Sequence, residues 1–339
     1  MSMGIFEGLI GNEEALRFLA EDFTRDRAAG AYLLHGPTPL GKKIAAFRIA
    51  QAANCEASQP GMLRLCGNCA SCKKVESENH PFIHYLTPTD TAHIKADFVR
   101  QTLELLSLKL PSRGRQFLII DPAEALTPTS SNALLKTIEE PPPATTIFLI
   151  SAHPRKLLAT VVSRCRRVVF HPLPRQPLIS ALVNQHGLTP EAARLAAALS
   201  DGTFALAREE DSEAILRLRG EAVDLLETLL RRDLHKAFER IIGWKREERA
   251  FERLFPLFES LLRDCAVLRS AGEGMELFHE DLRAPLEEYS RRFTPRALVE
   301  LVRRIAETRN WTIENNANRE LALNRLFMAM TPGLDPGLG

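Results

Sequence analysis

The stretch Gly36-Pro37-Thr38-Pro39-Leu40-Gly41-Lys42-Lys43 lies between a short apolar run, Ala31 to His35, and a segment with helical spacing. It constrains the fold more than any other feature. Glycines at its two ends let backbone N–H groups wrap an anion, and that arrangement works where a strand turns directly into a helix. Further β-rich runs follow at Phe82 to Leu86, Gln116 to Ile120, Thr146 to Ser151 and Arg167 to Phe170. Longer segments with helical spacing of Leu, Ile and Val separate some of them, such as Asp97 to Leu108 and Ser131 to Glu140, and Pro141-Pro142-Pro143 stops the second. This alternation predicts an α/β domain over residues 1–172, a parallel sheet with helices on both faces.

After Phe170 the strand signals vanish, and Pro172, Pro174 and Pro177 mark a joint. Leu178 to His186 and Pro190 to Leu199 read as two short helices. Thr189 is placed as N-cap of the second, with Pro190 at its first position and Gly202 just past it. A small helical domain is expected over 173–208. Apolar stripes in Ala214 to Leu230, Phe251 to Leu268, Pro295 to Ile305 and Asn318 to Met330 predict an all-helical domain over 209–331, with a flexible tail at 332–339.

The loop departs from a complete phosphate-binding motif. Lys42 is in place to reach a phosphate, but the next position carries Lys43 where a Ser or Thr hydroxyl would hold Mg²⁺. The strand Gln116 to Ile120 ends in Asp121, a metal-side carboxylate position, yet Pro122 follows where a water-activating Glu would stand, and Glu124 is displaced from it. Gly36, Gly41, Lys42 and Asp121 therefore read as a degenerate nucleotide site. A turn that uses glycine for geometry alone is the competing reading, and the sequence leaves ATP occupancy open.

Cys55, Cys66, Cys69 and Cys72 have the spacing C-x10-C-x2-C-x2-C and bracket Gly67-Asn68, residues suited to a tight turn. Two-residue gaps let neighbouring thiolates converge on one Zn²⁺, and four thiolates leave no open position for catalysis. One structural zinc per chain is expected. His80 and His84 are left as ordinary loop and strand residues because the ligand set is already complete. Cys165 and Cys265 are read as buried small residues, with no paired His at a recognisable spacing.

Composition narrows the function classes. Over 339 residues, Lys and Arg (44) nearly balance Asp and Glu (43), a net charge of +1. Such a balance gives no bulk electrostatic case for independent DNA or membrane binding. No apolar run is long enough to span a bilayer and the N-terminus lacks a signal pattern, so a cytoplasmic protein is expected.

Asn132-Ala-Leu-Leu-Lys-Thr-Ile-Glu-Glu-Pro-Pro142, the triplet Ser163-Arg164-Cys165 and the cysteine module after the phosphate-loop helix together resemble bacterial replicative clamp loaders of the AAA+ class. Within them the chain is similar to the delta-prime family of DNA polymerase III subunits, because the ATPase subunits keep a Thr or Ser after the loop lysine and an Asp-Glu pair. The resemblance implies a AAA+ P-loop domain, a helical lid and an all-α collar, the last through Asn315-Asn-Ala-Asn318. It places Ala205 where an ATPase subunit has its sensor-2 arginine, with Arg208 one turn further on, and suggests Ser151 as a sensor-1 remnant unless it serves the local backbone.

It also implies that Arg164 acts as an arginine finger in trans, offered to the ATP site of a neighbouring subunit. The expected protein is no enzyme by itself but part of the polymerase holoenzyme. Its implied partners are the tau/gamma ATPase and delta subunits of a hetero-oligomeric ring, with the sliding clamp and primer–template DNA reached through the complex, and no membrane. An active AAA+ ATPase motor subunit is the alternative, and Lys43, Pro122 and Ala205 count against it. A stand-alone zinc-dependent nucleic-acid-binding protein is a third reading, disfavoured by the balanced charge.

Overall fold

The computed structural model describes residues 3–37, 40–89, 92–107, 114–200, 212–233, 235–237, 239, 248–270, 277–314, 324 and 327. The chain divides into two compact units, Met1–Leu173 and Pro174–Gly339.

The first unit is built on five parallel strands: β1 (Ala31–His35), β2 (Ile83–Leu86), β3 (Gln116–Ile120), β4 (Thr145–Ser151) and β5 (Arg166–Val169). Their order is β2-β3-β4-β1-β5. Every residue of β3 and β4 is buried, which is why these strands read as continuous apolar runs rather than as alternating ones. The period of two still sorts their side chains. Tyr32, Leu34, Phe117, Ile119, Phe148 and Ile150 face α1 (Glu13–Thr24) and α2 (Lys42–Ala53). On the opposite face Leu33, Leu118, Ile120, Ile147 and Leu149 meet α4 (Ala96–Leu106), α5 (Pro128–Glu139) and α6 (Ala159–Val162). Each such fully buried side chain contributes about 1.5–3 kcal/mol relative to exposure. The rings of Phe117 and Phe148 stack with centroids 6.1 Å apart, which pins the β3–β4 register on the α1 face. The parallel sheet with helices on both faces is thus the α/β architecture expected from the sequence.

Helix α5 begins three residues before the expected Ser131, because the Thr127 side chain accepts the Ser130 N–H at 3.1 Å and caps the first turn. Strand β5 lies one residue earlier than expected, with Arg166 paired to Tyr32. Helix α3 (Ala70–Glu76) begins inside the cysteine module, with Cys69 as its N-cap.

The second unit is helical: α7 (Arg175–His186), α8 (Pro190–Leu199), α9 (Ser212–Leu230), α10 (Glu248–Ser270), α11 (Arg283–Ser290) and α12 (Pro295–Glu314). Gly187 closes α7 in the left-handed region, and the Thr189 side chain accepts the Ala192 N–H to open α8. Helix α8 packs on α9 and α10 as well as on α7. The α10 residues Leu254, Phe255, Leu257, Phe258, Leu261, Leu262 and Cys265 are all buried. Gly202, Ala205 and Arg208 lie outside the described residues, as do Asn315–Asn318 and the tail at 332–339. Among the described residues no helix is long and apolar enough to cross a membrane.

Candidate functional site

Strands β3, β4 and β1 are neighbours and parallel, so the segments after all three emerge along one edge of the sheet. That edge gathers the phosphate-loop residues with Asp121, Glu124 and Ser151. Gly36 leaves β1 at φ 143°, its N–H donating to Ser151 O at 3.2 Å. A Cβ there would fall 2.0 Å from Phe170 O, so the turn requires glycine whether or not a phosphate is held. Gly41, at φ 77°, is the N-cap of α2. Thr38 and Pro39 between them lie outside the described residues.

Lys42 opens α2 and is buried, 3% exposed. Its Nζ donates to Gly36 O and Pro37 O, each at 2.6 Å, so the loop's own carbonyls hold the ammonium. Burial pulls its pKa down to about 8, against the opposing pull of Asp121 and Glu124. Lys43 takes another course: its Nζ sits over the Tyr85 ring, 4.3 Å from the centroid, and 5.8 Å from that of Phe47. Burial raises the Asp121 pKa, with Lys43 and then Lys42 opposing. This edge can hold a balanced set of two ammonium and two carboxylate groups, but no hydroxyl stands at position 43 to ligate a metal.

Glu124, displaced from the position after Asp121, has a defined task. Its Oε1 accepts the Ser151 hydroxyl at 2.7 Å and the His153 N–H at 2.5 Å. Burial pushes its pKa up, but these donors outweigh that and hold it below the usual Glu value. Ser151 thus binds a carboxylate rather than the local backbone.

Arg164 follows α6 in the turn into β5. Its side chain is 40% exposed, its Nε donates to Glu139 Oε1, and its Nη1 donates to Thr160 O at 3.0 Å. The neighbouring arginines differ. Arg166 pairs with Asp22 at 2.7 Å and stacks over Phe18, and Arg167 is exposed on β5. Cys165 is buried and burial pushes its thiol up to about 11, so it is no nucleophile at neutral pH. Cys265 is likewise buried, with its thiol at about 12 and its Sγ donating to Leu286 O. Nothing in the spacing of the sequence pointed to Glu139, Thr160 or Ser151 as the partners found here.

Cys55 follows α2, Cys66 precedes the Gly67 turn at φ 72°, and Cys69 and Cys72 lie on the first turn of α3. The four sulfurs lie within 4.8 Å of one another. Cys55–Cys66 is 3.5 Å, and Cys55–Cys69 and Cys66–Cys72 are each 4.0 Å. A tetrahedral zinc with Zn–S of about 2.3 Å has S···S edges of about 3.8 Å, whereas a disulfide brings sulfurs to about 2 Å. The donor set therefore fits a Cys₄ metal such as zinc. The N–H groups of Cys69 and Cys72 point at Cys66 Sγ and Cys69 Sγ, each at 3.4 Å, and amides of Asn68 and Cys69 draw the Cys66 pKa down to about 6. His80 takes no part. Its Nδ1 accepts the Phe82 N–H, which leaves Nε2 to donate to Ser71 Oγ at 3.0 Å.

A family model described as "DNA polymerase III, delta subunit" matches residues 11–174, which hold the phosphate loop, the cysteine module and Arg164. DNA polymerase III subunit delta' of Bacillus subtilis (strain 168) is 26% identical over 321 residues, 94% of this chain and 95% of that protein. The subunit delta' of Escherichia coli (strain K12) is 26% identical over 326 residues, 94% of each chain. DNA polymerase III subunit tau of Bacillus subtilis is 30% identical over 181 residues, but these span 52% of this chain and 31% of that protein. The delta' likeness runs through both compact units, and over most of its length the chain is similar to the delta-prime subunits of DNA polymerase III.

Proposed function

We propose that this chain is a clamp-loader subunit that hydrolyses no ATP itself and completes the ATP site of a neighbouring ATPase subunit with Arg164. The observation that carries the reading is a contrast within one domain. At the phosphate loop, Lys42 is held by the carbonyls of Gly36 and Pro37, and Lys43 lies over Tyr85 in place of a metal-ligating hydroxyl. The Ser163-Arg164-Cys165 triplet is intact, and its arginine remains exposed. A planar cation placed beside a γ-phosphate offsets the charge that builds on its oxygens as the phosphoryl group transfers.

In this account the neighbouring subunit is of the tau/gamma kind, and a delta subunit completes a hetero-oligomeric ring. The ring opens the sliding clamp and sets it on primer–template DNA. Residues 173–208 act as a lid and 209–331 as the collar that joins the subunits. The site of action is the cytoplasmic replisome. Zinc in the Cys55, Cys66, Cys69 and Cys72 module is structural, since four thiolates fill its coordination. Gly36, Gly41, Lys42 and Asp121 remain as the frame of a nucleotide site without turnover.

The test is ATP turnover by the purified chain alone and after addition of its ATPase partner. The account expects none alone and DNA-stimulated turnover in the complex. Turnover by the isolated chain would favour the motor-subunit reading instead.

A further inference from the structure

Glu139 stands where helix electrostatics disfavour it. It is the last residue of α5, and Glu140 follows as C-cap, so two carboxylates crowd the end of the helix that already carries partial negative charge. An acid at this position does nothing for the helix itself. Its partner is Arg164, 25 residues further on. The Nε of Arg164 donates to Glu139 Oε1 and its Nη1 to Thr160 O at 3.0 Å. Two of the three guanidinium nitrogens are therefore held by this chain's own acceptors, one from α5 and one from α6. The third, Nη2, makes no hydrogen bond among the described residues.

A guanidinium held at Nε by one acceptor and at Nη1 by another cannot turn freely about its last side-chain bonds. What it presents to a second molecule is Nη2, in a set orientation. An arginine on a flexible stem would have to be ordered each time it met an anion, whereas this one is ordered beforehand. The adjacent Arg166 gives the contrast. Its cation is matched by Asp22, a carboxylate only 10% exposed that also accepts the Tyr32 hydroxyl, and it stacks on Phe18. That arginine serves the core, while Arg164 is anchored and still open to solvent.

We propose that Glu139 is a positioning residue for Arg164: with the Thr160 carbonyl it holds Nε and Nη1 and leaves Nη2 to meet the phosphate oxygens of a nucleotide held by an adjoining ATPase subunit. The inference rests on the finger reading of Arg164 and adds the residue that orients it. Because Glu139 touches no substrate, its loss acts on the transition state through Arg164 alone.

The test is a double-mutant cycle in the reconstituted complex, with steady-state ATPase measured on primed DNA for the wild type, Glu139→Gln, Arg164→Ala and the pair. The expected result is a loss of kcat for Glu139→Gln at least half as large, on a logarithmic scale, as that of Arg164→Ala, with KM for ATP unchanged. Added to Arg164→Ala, Glu139→Gln should have no further effect. Glu139→Asp, which keeps the charge, should recover part of the rate. The melting temperature of the isolated chain should not move, since exposed ion pairs contribute little. Full activity of Glu139→Gln beside a slow Arg164→Ala would overturn the positioning role and leave the finger standing. An undiminished Glu139→Gln effect in the Arg164→Ala background would assign Glu139 to the fold and overturn it too. Full activity of Arg164→Ala would remove the finger reading, and the positioning role with it.

Discussion

The Ser151 hydroxyl at the end of β4 donates to Glu124 Oε1 at 2.7 Å, tying the segment after β3 to the next strand of the sheet. The His153 N–H donates to the same oxygen. A carboxylate stabilised by two donors is a poor base, and these two bonds give Glu124 a part in holding the fold. Glu124→Ala leaves both donors without their acceptor and should cost ~1–3 kcal/mol at neutral pH. The depressed pKa adds a pH signature: stability from Glu124 is present above the ordinary Glu value and is lost as pH falls through the lower folded value. Urea unfolding of both chains from neutral to acid pH should show their difference shrinking, and a constant difference would count against this role.

Gly36 is fixed by backbone geometry. A Cβ would meet the Phe170 carbonyl oxygen at 2.0 Å, and φ is 143°. Gly36→Ala should destabilise the chain by at least ~2 kcal/mol, through strain and displacement of β5. Thermal unfolding without any nucleotide measures this, because the constraint is independent of phosphate binding.

The sulfur geometry of the cysteine module predicts about one zinc per chain. Replacing Cys69 and Cys72 with Ser should abolish metal binding and lower the melting temperature, since metal binding to such a cluster is coupled to local folding. Leu63 and Leu65 from the same insert pack against the α1 face of the core, so the loss should spread into the sheet domain. Elemental analysis and thermal unfolding read the two effects. A metal-free wild type of equal stability would contradict the structural role.

His279 is fully buried in the helical unit, with Nε2 bonded to Ser260 Oγ at 2.9 Å and its backbone N–H donating to Asp264 Oδ2 at 2.8 Å. Burial, then the nearby Arg219 charge, draws its pKa down to about 3. Between that value and the ordinary 6.5 the unfolded chain takes up a proton that the folded chain refuses. Its contribution should therefore make stability fall as pH drops from 6.5 toward 3. His279→Gln should flatten that part of the pH–stability curve, and an unchanged slope would exclude His279 as its source.

Much of this was legible in the sequence for a physical reason. Residues such as Ala31–His35 and Gln116–Ile120 are buried on both faces, so their apolar runs end where the strands end. Thr189 and Pro190 announce a helix start by local chemistry alone. The cysteine spacing carries its own geometry, and the sulfurs converge accordingly. What stayed hidden was every contact made by the order of the strands. Arg164 meets Glu139, and Ser151 meets Glu124, only because the chain returns across the sheet. No periodicity encodes such a meeting. The packing of α8 on α9 and α10 is hidden in the same way, since helical stripes show that a face is buried but not against what.

The central claim is that Arg164 works in a neighbour's ATP site while this chain's own site is silent. DNA-stimulated ATP turnover by the reconstituted complex, with wild-type chain against Arg164→Ala, tests it most directly. The account predicts a marked loss of kcat with assembly and the melting temperature of the chain unchanged. Equal turnover by the two complexes would contradict it.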